Sequence, residues 1–113
     1  MTSDPHPASD QPPCYAVIFT SKRSEGDNGY ADMAQEILEL ARIQPGFLGF
    51  ESARNDIGIS VSYWDSLDAI RAWKENARHL EAQSHVGDWY DWYRVRICQV
   101  LREYGAGQVT EAP

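Results

Sequence analysis

Residues 44–83 read QPGFLGFESARNDIGISVSYWDSLDAIRAWKENARHLEAQ, and this stretch decides the fold. A Pro-Gly pair at residues 45–46 ends the helix that precedes it. Residues 47–54 are rich in strand-forming side chains, and residues 55–58 (NDIG) are typical of a hairpin turn. Residues 59–64 then alternate between two faces of a strand. The stretch therefore begins with a predicted β-hairpin.

A helix is predicted directly after the hairpin. Asp65 or Ser66 is placed to cap its first turn, and apolar side chains then recur at helical spacing. The helical pattern runs to about His85 and breaks at Gly87. The apolar stripe consists of Leu67, Ile70, Trp73, Ala77 and Leu80.

The flanking segments supply one strand and one helix before this stretch and one strand after it. Residues 14–21 are rich in β-branched and aromatic side chains and predict the first strand. A helix is predicted from Tyr30 to just before the Pro-Gly pair, with Asp27 or Asn28 as its cap. Residues 93–104 alternate over a long last strand, and residues 88–92 are interpreted as a short helical turn.

The order strand, helix, strand, strand, helix, strand predicts an α+β fold, a ferredoxin-like βαββαβ two-layer sandwich. Right-handed crossovers lay both helices on one face of a four-stranded antiparallel sheet. The other face then needs a cover, and a symmetric homodimer is the commonest solution. Whether the last strand is exchanged across that dimer stays open.

Composition indicates a single small domain. The chain has 113 residues, so one core is expected, over residues 14–104. Residues 1–13 contain four prolines and predict a disordered tail, and residues 105–113 are small and polar and predict a flexible one.

The net charge of −7 makes nucleic acid and anionic membrane unfavourable partners. No apolar run is long enough to span a bilayer, and the N-terminus lacks the pattern of a secretory signal. Cys14 and Cys98 have no metal-ligand spacing, so no metal site is expected and reduced thiols are the default. These features together predict a cytoplasmic protein.

Several side chains are candidates for chemistry. His79 has the pKa range of a general base, although a helix-surface histidine is the plainer interpretation. Trp64 and Trp73 are candidates for the walls of an aromatic-binding pocket or for simple core residues. Ser62 and Ser21 lie at strand ends, where each could hold an oxyanion or be solvated.

Three segments resemble the antibiotic biosynthesis monooxygenase family: PGFLGFE from Pro45, SYW from Ser62 and AIRAWK from Ala69. The resemblance extends over nearly the whole domain and implies a dimeric α+β barrel. Because one fold hosts many reactions, it is far less specific for any one activity.

The resemblance implies a cofactor-independent monooxygenase of small aromatic, phenolic or enolic substrates, for which neither flavin nor metal is needed. The residues assigned to catalysis are His79 as a base, with Trp73 and Tyr63 as donors to an oxyanion. The residues assigned to substrate binding are Trp64, Gln83, Ser62 and Phe19.

Haem binding with haem degradation is the alternative that the family also implies, which makes haem a possible cofactor. That branch carries an Asn on the first strand, a Trp on the second helix and a His ten residues later. Trp73 matches the Trp, but Gln83 replaces the His, and Phe19 or Thr20 replaces the Asn. His79, one helical turn before Gln83, is a hypothetical substitute ligand. A non-catalytic dimeric module that binds a small ligand is the third interpretation.

Overall fold

The computed structural model describes residues 14–27, 29–83 and 89–107, without the side chains of residues 79–83. Its element order is the predicted βαββαβ. The bounds are β1 Tyr15–Arg23, α1 Tyr30–Arg42, β2 Phe47–Arg54, β3 Ile57–Trp64, α2 Leu67–Gln83 and β4 Tyr90–Gln99. No helix in these described ranges has the length and apolar character needed to cross a bilayer.

The four strands form one antiparallel sheet in the order β2-β3-β1-β4. Both helices contribute to one core on a single face of the sheet, where Ala41 of α1 and Ile70 of α2 pack with Val17 of β1. The predicted ferredoxin-like sandwich is confirmed. The tails at residues 1–13 and 108–113 lie outside the described residues.

Two strand boundaries differ from the prediction. Residues 90–92 belong to β4 and are not a helical turn, because they pair with the end of β1, which runs on to Arg23. β4 stops at Gln99, opposite Tyr15, where β1 begins. The predicted continuation to residue 104 was wrong because none of the described strands extends beside residues 100–104.

The hairpin turn is also tighter than predicted. Ile57 and Gly58 already belong to β3, and only Asn55 and Asp56 lie between the strands. The Asn55 N–H donates to the Ile57 carbonyl oxygen at 3.1 Å. Two-residue loops are the commonest way to join antiparallel strands, so the shorter turn allows two more residues to pair.

The predicted side chains bond to the first turns of both helices, although the N-cap position of α1 is Gly29, two residues after Asp27. The Asp27 carboxylate accepts hydrogen bonds from the backbone N–H groups of Gly29, at 2.9 Å, and Ala31, at 3.2 Å. The Ser66 hydroxyl accepts one from the Ala69 N–H at 3.0 Å. Each cap satisfies a first-turn donor that has no partner inside its helix. The alternative cap Asn28 and the predicted break near Gly87 lie outside the described residues.

Gly46 allows the turn before β2 to approach the start of α2. Its φ of 89° is in the left-handed region, and a Cβ there would lie 2.5 Å from Asp65 Oδ1 and 2.7 Å from Ala69 Cβ. The Gly46 carbonyl oxygen accepts a hydrogen bond from the Asp65 N–H at 2.9 Å. Position 46 therefore requires glycine for both its conformation and its close contacts.

Gly46→Ala is expected to destabilise the fold by about 1–3 kcal/mol, because alanine is strained at positive φ and the new methyl group collides with α2. Gly49→Ala is the matched control, since its methyl group would meet Tyr63 Cδ2 only at 4.0 Å, an ordinary contact. Urea denaturation of both variants measures the difference. Equal losses of unfolding free energy would contradict this account of Gly46.

Candidate functional site

A cavity of about 750 Å³ lies between the sheet and the two helices. Its floor is formed by β1, β2, β3 and β4, and its walls by α1 and α2. It is the candidate functional site because small-molecule sites are concave, largely apolar, and carry a few placed polar groups.

The floor of the cavity follows from strand register. Paired residues of antiparallel strands share a face, so each cross-strand row presents its side chains to the same layer. Three rows line the cavity, and the row of Phe47, Trp64, Tyr15 and Gln99 lies outside it. Written from β2 to β1, the lining rows are Phe50-Ser62-Val17, Ser52-Ser60-Phe19 and Arg54-Gly58-Ser21. Ser21 belongs to the last row but is not itself a lining residue.

Aromatic rings form one side of the cavity. Phe19 stacks on Tyr93 with ring centroids 5.5 Å apart, and meets Tyr90 edge-on at 5.3 Å. Tyr30 of α1 meets Tyr90 edge-on at 5.7 Å. Such surfaces suit a flat ligand, because ring pairs prefer these stacked and edge-on arrangements.

Two neighbouring tryptophans have opposite hydrogen-bonding states. The Trp64 indole N–H donates to Ser62 Oγ at 2.9 Å, and Trp64 is fully buried. Trp73 lies against it, with ring centroids 5.1 Å apart, and lines the cavity. The Trp73 Nε1 atom is buried without a hydrogen-bond partner. A buried, unsatisfied donor costs free energy, so the Trp73 N–H would gain from an acceptor that a ligand supplied.

The structure brings three of the predicted site residues to the cavity: Phe19, Ser62 and Trp73. Trp64 is a core residue that contacts Ser62 and Trp73 from outside the cavity. The side chains of His79 and Gln83 lie outside the described residues, although the α2 backbone includes both positions.

Tyr63 is not brought to the cavity. It pairs with Ala16 on the opposite face of the sheet, and its hydroxyl donates to Glu51 Oε1 at 2.6 Å. This hydrogen bond, with smaller effects of burial and nearby acidic groups, raises the pKa of Tyr63 to about 12. Strand alternation explains the placement, because Tyr63 neighbours both Ser62 and Trp64, which point to the helices.

Sequence reasoning missed the cations that the described cavity lining contains. Arg54 of β2 and Lys74 and Arg78 of α2 all line the cavity. The alternation of β2 does place Arg54 on the face of Phe50. No sequence signal showed that Gly58, which has no side chain, would lie beneath the Arg54 guanidinium group.

The described cavity lining contains no histidine that could ligate haem iron. Proteins ligate haem iron with His, Cys, Met or Tyr side chains. Of these, the described part of the lining contains only Tyr30, Tyr90 and Tyr93. Within the same described ranges, no group of three His, Cys, Asp or Glu side chains is placed to hold a metal ion.

Comparison with known proteins identifies the family. The antibiotic biosynthesis monooxygenase family model matches residues 13–85. The protein YqjZ of Bacillus subtilis (strain 168) is 48% identical over 96 residues, which cover 82% of this chain and 84% of YqjZ. The chain therefore belongs to the antibiotic biosynthesis monooxygenase family.

Two solved structures share the fold at low sequence identity. SnoaB from Streptomyces nogalater, described as a cofactor-independent oxygenase, has a TM-score of 0.62 and 11% identity, covering 85% of this chain and 95% of its own. MhuD, in a variant with two manganese protoporphyrin IX molecules bound per active site, has a TM-score of 0.63 and 18% identity, covering 81% and 99%. Both a cofactor-independent oxygenase and a porphyrin-binding protein therefore share this fold.

The different states of the two indoles predict different costs of substitution. Trp64→Phe is expected to lower the free energy of unfolding by about 2–3 kcal/mol, because it leaves a void and removes the donor to Ser62. Trp73→Phe removes an indole N–H that has no partner and is expected to cost about 1 kcal/mol or less. Chemical denaturation of the two variants tests this order, and a larger loss for Trp73→Phe would refute it.

Proposed function

We propose that this protein is a cofactor-independent monooxygenase of a small aromatic substrate with a phenolic or enolic group. The observation that carries the proposal is the cavity, which is lined by aromatic rings and by Trp73, whose buried indole N–H has no partner. Membership of the family and the shared fold with the oxygenase SnoaB support the same reaction class.

In the proposed reaction the substrate itself reduces dioxygen. Loss of a proton gives an enolate or phenolate, which transfers an electron to O₂, and the two radicals combine to form a C–O bond. The resulting hydroperoxide loses water, so a ring CH₂ becomes C=O. One oxygen atom enters the product and the other leaves as water, with all four electrons supplied by the substrate.

The protein's contribution is to favour the substrate anion and exclude water. The Trp73 N–H is the proposed donor to the substrate oxygen, in place of the predicted Tyr63, which faces away from the cavity. Lys74 follows Trp73 on the cavity side of α2, and its ammonium group would further stabilise the developing charge. Fixed donors and charges act strongly in a site from which water is excluded.

His79 is the general base predicted from sequence, but the α2 backbone does not favour that role. Position 79 is two residues beyond Ala77, which lines the cavity, and so about 200° further round α2, on the opposite side of the helix from the lining positions. A base role predicts that the rate falls at low pH, where the imidazole is protonated. The pH profile of His79→Gln tests this directly, because the variant would lose the fall in rate at low pH if His79 were the base.

We further propose that the protein acts as a cytoplasmic homodimer. The sheet face away from the helices carries exposed apolar side chains, including Ile59, which is 48% exposed, and Ile57, which is 39% exposed. A second copy that covers this face would remove them from water.

Oxygen uptake with an anthrone-type phenol tests the proposed reaction. The purified protein, freed of metals by a chelator, is expected to accelerate uptake, and Trp73→Phe is expected to lower kcat by about a hundredfold through loss of the oxyanion donor. Tyr63→Phe is the control and should retain the wild-type rate, because its hydroxyl faces Glu51 outside the cavity.

The alternatives give different results in companion assays. A saturable Soret change on titration with haemin, lost in His79→Ala, would support haem binding and contradict the proposal. If the protein shows no oxygen uptake and no Soret change, the results would favour a non-catalytic module. Acceleration that survives Trp73→Phe would overturn the assignment of the donor.

Light scattering after gel filtration tests the dimer. The wild-type protein is expected at twice the chain mass of 12.8 kDa, and Ile59→Lys at the chain mass, because a charge on the shared face opposes association. Ile43→Lys is the control, since Ile43 at the end of α1 is 76% exposed but lies off the sheet. A monomeric wild type would contradict the proposal.

A further inference from the structure

The described lining of the cavity has the opposite charge from the chain as a whole. Acidic residues outnumber basic ones in the sequence by 17 to 10. The described cavity lining nevertheless includes Arg54, Lys74 and Arg78 and contains no aspartate or glutamate. A cleft lined by one sign of charge concentrates ligands of the other sign, so this cavity favours anions.

Arg54 is held in place at one end of the cavity floor. Its Nη2 atom donates to the hydroxyl of Ser21, which is completely buried. Ser21 and Arg54 both pair with Gly58, so the three residues form one row across β1, β3 and β2. The guanidinium group spans the row from the edge strand to the buried serine.

Gly58 makes room for this arrangement. A Cβ at position 58 would collide with the guanidinium group of Arg54, which lies directly over the glycine. Any side chain there would displace Arg54 from Ser21. The row therefore combines a glycine with no side chain beneath the guanidinium group, a buried hydroxyl that orients the arginine, and the arginine itself.

The guanidinium retains donors for a ligand. It has five N–H groups, and Ser21 uses one of them. The described residues include no carboxylate paired with Arg54, and its side chain is exposed, so a ligand can reach it. A planar fork of this kind matches a carboxylate with two parallel hydrogen bonds.

The distance along the floor sets the length of the ligand. Ser62, beside Trp73 and Trp64, is four residues along β3 from Gly58, which corresponds to about 13 Å of strand. Phe19, in the row between them, supplies a flat ring. A ligand that extends from the indole end to Arg54 is therefore aromatic in its body and anionic at one end.

We propose that Arg54, oriented by Ser21 over Gly58, is a carboxylate-binding subsite, and that the substrate is an aromatic carboxylic acid. This rests on the proposed function for the reaction, but the binding preference stands on the geometry of the row alone. The reacting phenol or enol would lie at the Trp73 end, and the carboxylate at the Arg54 end.

A pair of probes of the same shape tests the subsite without turnover. Binding of 2-naphthoate and of its neutral analogue 2-naphthamide is followed under nitrogen by tryptophan fluorescence or calorimetry. The wild-type protein is expected to bind the carboxylate about tenfold more tightly than the amide, the gain of charge-assisted hydrogen bonds. Arg54→Gln should abolish the difference and leave the amide affinity unchanged.

Two further variants separate the subsite from general charge. Arg71→Gln removes the same charge from an exposed residue of α2 that pairs with Asp68 at 3.5 Å outside the cavity, and should keep the tenfold preference. Ser21→Ala keeps Arg54 but removes its anchor, and should reduce the preference. It also provides the test if Arg54→Gln does not fold.

Equal affinity of the wild type for the two probes, or a preference that survives Arg54→Gln, would overturn the subsite. If Arg54→Gln lowered the affinity for both probes equally, Arg54 would have a structural role, and the subsite would again be overturned. Because these binding assays consume no oxygen, their outcome does not depend on whether the oxygenase proposal is correct. A preference for the carboxylate without oxygen uptake would support the subsite and contradict the oxygenase. Oxygen uptake with neutral phenols, but no preference for the carboxylate, would support the oxygenase and contradict the subsite.

Discussion

The packing of Trp64 between the sheet and α2 is the constraint on which the rest of the structure depends. Trp64 is fully buried, meets Phe47 edge-on at 5.4 Å and lies against Trp73 at 5.1 Å, with its N–H bonded to Ser62. Removing such a side chain costs about 3–5 kcal/mol in typical cores. These rings fill one end of the space between the sheet and the helices, and Gly46 allows the turn before β2 to approach the start of α2 beside them. The cavity therefore lies towards the other end of that space.

The cavity therefore has two chemically different ends. Near the indoles a buried N–H has no partner, and at the far end Arg54 lies over Gly58. Serines and the Phe19 ring connect the two ends. One strand register produces both ends, since alternate residues of β1, β2 and β3 meet the same layer. A substrate that satisfies both ends would be fixed in orientation before any reaction.

Much of this architecture could be predicted from sequence, because periodicity and turn chemistry are local. The alternation of residues 59–64 correctly put Ser62 and Trp64 on one face, but the same alternation placed Tyr63 on the other, where it was wrongly expected to serve the site. The end of β4 could not be predicted, since it depends on where β1 begins.

The site was harder to predict than the fold because it depends on gaps between side chains. Trp64 and Trp73 look alike in sequence, and only packing distinguishes the bonded core indole from the unpartnered cavity indole. Arg54 looked like an ordinary residue before a turn. Its position became meaningful only when Gly58 and Ser21 were found beside it in neighbouring strands.

The central claim is that the substrate, within this cavity, reduces dioxygen without a bound cofactor. Labelling with ¹⁸O₂ tests it most directly, using chelator-treated protein that shows no flavin or haem absorbance. The account predicts one labelled oxygen atom in the product and the other in water, at one O₂ per substrate. An unlabelled product, or release of hydrogen peroxide in place of labelled product, would contradict it.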